Sequence, residues 1–189
     1  MSARLALARG LSIVGHPLLV LPLAAMLGAA SRGMDLAGVR KLGLWLAALS
    51  LVVLGYSAWR VRRSRWAHVD ASAGGERRDL NRALLATLAV AALLAGALQG
   101  LSPLTRALAL AAALIVAAML LARWFQLSLH AAFTGFAALL PVWPVVIAVL
   151  LMLACAVGWS RLVLQRHRPV EVIAGIVLGI AAGSTLRIA

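Results

Sequence analysis

Carboxylates are scarce in this 189-residue chain. Asp35, Asp70, Glu76, Asp79 and Glu171 stand against eighteen Lys and Arg, for a formal net charge of +13. Three aspartates scattered over the sequence do not form the clusters with which proteins hold divalent cations. Cysteine is scarcer still: Cys155 is the one present and lies within an apolar run, which excludes a disulfide framework and a cysteine-based metal site. Charged residues of both signs reach only 12%, against 64% hydrophobic, a balance far outside that of soluble globular proteins. A bilayer is the natural solvent for such a chain. Its excess of bases then calls for something anionic: phosphate, acidic lipid headgroups or nucleic acid. Nucleic acid is set aside, because the bases sit in short stretches between apolar runs rather than on a polar face.

What the chain has in quantity is long apolar segments. A spanning helix needs roughly twenty apolar residues, and seven segments qualify: 11–31, 42–59, 83–101, 105–123, 126–141, 143–159 and 170–188. The expected architecture is therefore all-α, a polytopic transmembrane helix bundle of about six to seven spans forming a single domain over 1–189. The fifth segment is the shortest and ends at Pro141, and Pro141-Val142-Trp143-Pro144 reads as a tight connection. Arg4 and Arg9 before the first run mimic a signal peptide. About twenty apolar residues interrupted by His16, Pro17 and Pro22 suit a retained span better. The tryptophans at 45, 59, 66, 124, 143 and 159 fall mostly at span ends, as in an aromatic belt. Gly175, Gly179 and Gly183 recur every four residues along the last segment, which predicts close helix packing there.

The one sizeable polar stretch is 60–82, with Arg62, Arg63, Arg65, His68, Asp70, Glu76, Arg77, Arg78 and Asp79. If the spans alternate, this stretch, the N-terminus, the junction around Arg123–His130 and the stretch 160–169 share one face. That face then carries thirteen Lys and Arg against five opposite. The positive-inside rule makes the rich face cytoplasmic, unless the arginines are there for a ligand.

Three groups of residues on that face can carry chemistry. Ser160-Arg161 is followed after five residues by His167 and after three more by Glu171. Four-residue spacing puts a carboxylate on the same helical face as an imidazole, where it can accept one ring N–H and leave the other nitrogen as a nucleophile. Pro169 suits the first turn of such a helix, and Arg161 offers a planar donor for a phosphoryl group. Ser128-Leu129-His130 opens the fifth segment, where a helix N-terminus favours an anion and His130 can protonate a departing oxygen. In the polar stretch, Asp70 and Glu76-Arg77-Arg78 can close over a phosphate. His68 and His16 read as packing or interface residues.

These groups resemble the three motifs of the type 2 phosphatidic acid phosphatase superfamily over residues 60–185. The third motif, Ser-Arg, five residues, His, three residues, Asp, is similar through Ser160, Arg161, His167 and, conservatively, Glu171. The second, Pro-Ser-Gly-His, is similar through Ser128 and His130, with Leu127 and Leu129 in place of Pro and Gly. The first, Lys, six residues, Arg-Pro, is represented by Arg77 or Arg78 alone, with Asp79 in place of proline. The resemblance implies catalytic motifs within 60–175 and a phosphohistidine on His167, oriented by Glu171, with His130 as general acid. It also implies that Arg161, Arg77 or Arg78, Ser160 and the Ser128 backbone hold the phosphoryl oxygens. No metal or cofactor is implied. The expected function is a membrane phosphatase of a lipid phosphomonoester or diphosphate: phosphatidic acid, phosphatidylglycerol phosphate or a polyprenyl phosphate. The pocket would lie at the bilayer surface with the substrate's tail left in lipid, in a bacterial-type inner membrane. Two alternatives stay open: a phosphotransferase using the same intermediate, and a non-catalytic anion or lipid transporter. Membrane lipids are the other expected partners, and the oligomeric state is left open.

Overall fold

A computed structural model describes residues 3–66 and 74–188. His68 and Asp70 lie outside the described residues. Within them the chain forms eight helices and no strand: α1 (Ala3–Val14), α2 (Pro17–Ser31), α3 (Leu36–Arg62), α4 (Gly74–Gln99), α5 (Pro103–Leu121), α6 (Leu129–Ala138), α7 (Pro144–Val163) and α8 (Pro169–Ile188). Four of them open on proline, whose fixed φ and missing N–H suit the first helical position. Side chains also close helix starts, at α3 and α5. Asp35 accepts from the Gly38 amide at 2.9 Å and Ser102 from the Thr105 amide at 3.2 Å.

Five helices, α3, α4, α5, α7 and α8, are long and apolar enough to cross a membrane, and α1 with α2 adds a sixth if that pair, bent by 53°, counts as one span. The protein is a multi-pass helical membrane protein. Leu44, Leu93, Leu98 and Val145 are among many large apolar side chains left exposed on its outer surface, where lipid replaces the missing core.

The sequence expectation fails at three places. The first run, 11–31, is two helices: His16 ends one and caps the next, its Nδ1 accepting from the Leu18 amide at 3.2 Å. Of the polar stretch 60–82, most of the described residues are helical, since α3 continues to Arg62 and α4 begins at Gly74, so Arg77 and Arg78 stand on a helix. The expected fifth span is the ten-residue α6, about 15 Å long. That is half of the roughly 30 Å hydrocarbon core. Every residue from Ala131 to Ala138 is buried, so α6 meets protein on all sides and need not match the bilayer.

Small residues draw α6 and α8 together. A Cβ on Gly175 would stand 2.7 Å from the Ser128 carbonyl oxygen, one on Gly179 would overlap the Ala132 carbonyl, and one on Gly183 would reach 3.1 Å from that of Phe136. The contacts advance by four residues on both helices, so the two run parallel from a common end, and the expected glycine packing is present. At the other end of α6, Arg32 donates to the Leu140 carbonyl at 2.8 Å, which ties the end of α2 to the end of α6. Phe133, Phe136, Ala137 and Leu140 join Val20, Ala24, Ala111, Leu114 and Ile115 in the central core.

Candidate functional site

The geometry starts at the link between α7 and α8. Past α7, Gln165 takes a left-handed conformation at φ 52°, and the Arg166 amide returns to the Arg161 carbonyl at 3.0 Å while Gln165 bonds Leu162. This closure reverses the chain sharply and brings His167 back towards the last turn of α7. Glu171, in the first turn of α8, then reaches back: its Oε2 accepts from the Arg168 amide at 3.0 Å, in the manner of a capping-box glutamate. The same Oε2 meets His167 Nδ1 at 3.0 Å. Its Oε1 accepts from the Gln126 amide at 3.2 Å, and its backbone carbonyl accepts from the Ser128 amide at 3.1 Å. One carboxylate thus helps start α8, orients an imidazole and ties down the segment before α6.

Those bonds fix the chemistry of His167. A carboxylate at Nδ1 makes that nitrogen the N–H donor and leaves Nε2 with its lone pair. The side chains are 8% exposed for His167 and 12% for Glu171, so water does not compete for the bond. Burial pushes the His167 pKa below its usual value; the bond to Glu171 opposes this, and the charges of Arg161 and Arg77 reinforce it. The ring is therefore neutral at neutral pH, as a nitrogen nucleophile requires.

His167 lines a cavity of about 320 Å³ with His130, Arg161, Arg77 and Arg78, so five of the expected site residues face one space from four places in the chain. Arg161 is steadied by Ser12 of α1, to whose Oγ it donates at 2.9 Å, and Arg77 donates to the Gln126 side chain. Gln126 consequently bridges the arginine of α4 and the carboxylate of α8.

No protein-family model, curated protein or solved structure matches the chain.

Two expected residues stand elsewhere. Ser160 is fully buried and its Oγ donates to the Val157 carbonyl at 2.7 Å, within its own helix, so it does not border the cavity. Ser128 is also fully buried, and its amide, expected to hold a phosphoryl oxygen, is taken by the Glu171 carbonyl. Both serines support the backbone under the site and lie off its surface. The structure in turn adds residues that sequence reasoning left out. His16, read as packing, sets its ring edge-on to His130 with centroids 5.0 Å apart and lines the cavity. Arg166 and Gln126 line it as well. For His16 the available signal was a histidine followed by proline in the middle of an apolar run, the pattern of a helix cap. For Gln126 there was none, because its partners are 45 and 49 positions away.

The cavity also extends away from its polar mouth. Leu21 and Ala25 of α2, Leu49 of α3, Leu88 of α4, Ala111 of α5 and Phe136 of α6 all line it, and it reaches Leu140. From His130 to Ala138 the chain rises about 12 Å along α6, and Leu140 lies just past its end. The expectation of a pocket confined to the bilayer surface is thus incomplete: the basic end continues into an apolar chamber inside the bundle.

Proposed function

We propose that this protein is a membrane phosphatase of lipid-linked phosphates, similar in mechanism to the type 2 phosphatidic acid phosphatases. The observation that carries the reading is His167, with Nδ1 committed to Glu171 and Nε2 left for the cavity, at the junction of an arginine-rich mouth and an apolar chamber. Arg161, Arg77, Arg78 and Arg166 neutralise the phosphoryl oxygens, the main requirement of phosphoryl transfer. Nε2 of His167 forms a bond to phosphorus as the bond from phosphorus to the lipid oxygen breaks, and His130 gives that oxygen a proton. Water then attacks the phosphohistidine, returns a proton to His130 and releases inorganic phosphate, restoring neutral His167. Glu171 stays ionised and balances the charge that the Nδ1 side gains.

The chamber supports a lipid rather than a soluble phosphate ester, since its aliphatic lining offers the substrate's chain a dry place within the protein. We propose a bacterial-type inner membrane as its location, because outer-membrane spanning proteins are β-barrels and this chain is helical. The test is phosphate release from phosphatidic acid, phosphatidylglycerol phosphate and polyprenyl phosphates by protein purified in detergent with EDTA. Wild type should be active, His167→Ala inactive and His130→Ala strongly impaired. Equal release by all three would sink the mechanism.

A further inference from the structure

The opposite end of the bundle holds a second basic cavity that the histidine site does not use. It has a volume of about 260 Å³ and is lined by Arg32, Arg106 and Arg187 together with Pro103, Val142 and Leu186. Arg32 follows α2, Arg106 is in the opening turns of α5 and Arg187 is in the last turn of α8. Glu171 and Arg187 mark the two ends of α8, whose twenty residues rise about 30 Å, so this cavity lies one membrane thickness from the histidine site.

Three guanidinium groups converge here and no carboxylate lines the space among the described residues. Asp35, the acid nearest in sequence, is occupied in capping α3. Arg32 follows the C-terminus of α2 and Arg187 stands in the last turn of α8, where a cation complements the dipole. Arg106 stands at a helix N-terminus, where the dipole opposes it, and its buried Nε meets no acceptor. Arg32, an exposed residue, is fastened by two carbonyls, those of Gly28 and Leu140, both at 2.8 Å, which hold its guanidinium in place. Burial, with the charge of Arg187 added, holds its pKa below the usual arginine value, while a guanidinium stays protonated regardless. The mutual repulsion of these cations favours an anion held between them.

We propose that Arg32, Arg106 and Arg187 form a second anion site that takes a phosphate-type oxyanion, with a lipid headgroup of the leaflet opposite the histidine site as the source. Guanidinium groups match the oxygens of a phosphate in a planar, paired way that scattered surface charge does not. The site is independent of the phosphatase reading, because it shares no residue with the histidine cavity.

Thermal unfolding of the full chain in neutral detergent tests it, with dioleoylphosphatidylglycerol in mixed micelles, dioleoylphosphatidylcholine as the uncharged reference and inorganic phosphate as the soluble arm. Phosphatidylglycerol at about tenfold its Kd should raise Tm by roughly 3–6 °C in wild type. Arg106→Gln and Arg187→Gln should each lose more than half of that rise. The control is Arg40→Gln with Lys41→Gln, which removes two exposed charges at the same end of the bundle, and it should keep the rise. Arg161→Gln should keep it too, which separates this site from the histidine cavity. If Arg106→Gln does not fold, Arg187→Gln, at an exposed side chain, decides. A rise with inorganic phosphate that is lost in the same variants assigns the site to a free anion and replaces the lipid as source. A control that loses as much as the arginine variants, or arginine variants that keep the full rise, overturns the site.

Discussion

Changing Glu171 to glutamine alters one atom of the site and tests the assignment of His167 as nucleophile. The carboxylate accepts three hydrogen bonds: His167 Nδ1 and the Arg168 amide on Oε2, and the Gln126 amide on Oε1. An amide has a single acceptor oxygen. If that oxygen faces His167 and Arg168, the new NH2 opposes the Gln126 N–H, two donors meet, and the segment before α6 loosens. If the amide turns over, its NH2 faces His167 Nδ1. Nδ1 must then be the acceptor, the ring proton moves to Nε2, and the lone pair that attacks phosphorus is gone. In a serine protease triad the wrong imidazole tautomer costs on the order of 10⁴ in kcat. A fall of roughly 10³ to 10⁴ is expected here, or about 4 to 5.5 kcal/mol of transition-state stabilisation, with KM changed little because the arginines still bind the phosphate. Stability should fall by about 1.5 to 3 kcal/mol, the cost of a charge-assisted bond, so unfolding is followed beside turnover to show that the variant is folded at the assay temperature. Initial rates of phosphate release over a range of lipid phosphate would separate kcat from KM. A folded Glu171→Gln protein with kcat within tenfold of wild type would refute the orienting role and the nucleophile assignment with it.

The lowered His167 pKa places the acidic limb of kcat/KM below pH 6.5, since the neutral ring is the reactive form; a limb at or above 6.5 would mean that another group is being read. The same shift makes the fold lose stability as pH falls through 6.5 towards the folded-state value, because the unfolded ring takes up the proton first. Gly179→Ala forces a methyl into the Ala132 carbonyl and should cost about 1 to 3 kcal/mol. Gly55→Ala, with open space at its Cα, serves as the neutral comparison, and equal Tm values for the two would remove the close approach of α6 and α8. Ser160→Ala should leave phosphate release within about threefold of wild type, since its hydroxyl is spent inside α7 and only a net bond of about 1 kcal/mol is lost; a hundredfold fall in kcat would return Ser160 to the phosphate.

Hydropathy located α3, α4, α5, α7 and α8 because each must satisfy its backbone internally and show apolar side chains to lipid. It misjudged their ends, since polar residues such as Arg60, Arg62, Arg77 and Arg78 continue a helix beyond the apolar run without losing its hydrogen bonds. It misread α6 for a different reason: an apolar residue facing protein and one facing lipid look alike in a sequence, and α6 faces only protein. Pairing of His167 with Glu171 was legible because it spans four residues and a proline-started helix. The links from Gln126 to Glu171 and Arg77, from Arg161 to Ser12 and from His16 to His130 were not, because they join segments that only the packed bundle brings together. Ser128 and Ser160 sit in the right motif positions, yet both are buried away from the cavity, the Ser160 hydroxyl on the Val157 carbonyl and the Ser128 amide on the Glu171 carbonyl.

The shortness of α6 accounts for how a polar site and an apolar chamber occupy one cavity. A twenty-residue helix in its place would present its first turn at the headgroup level and keep His130 there. Ten residues, enclosed by α2, α5, α7 and α8, let the chain turn back at Leu139 to Pro141, where Arg32, just past α2, donates to the Leu140 carbonyl and Ser31 of α2 accepts from the Val142 amide. That fastening sets the far end of α6. The four-residue steps against Gly175, Gly179 and Gly183 set its height along α8, and the Ser128 amide on the Glu171 carbonyl sets its near end. His130 is thereby fixed relative to Glu171, and through Glu171 to His167, by backbone contacts that no side-chain rotation relaxes. An acid and a nucleophile acting on the same phosphorus need that shared reference, because small displacements weaken proton transfer steeply. The chamber follows from the same arrangement, because Phe133, Phe136 and Leu140 of this stretch form its wall.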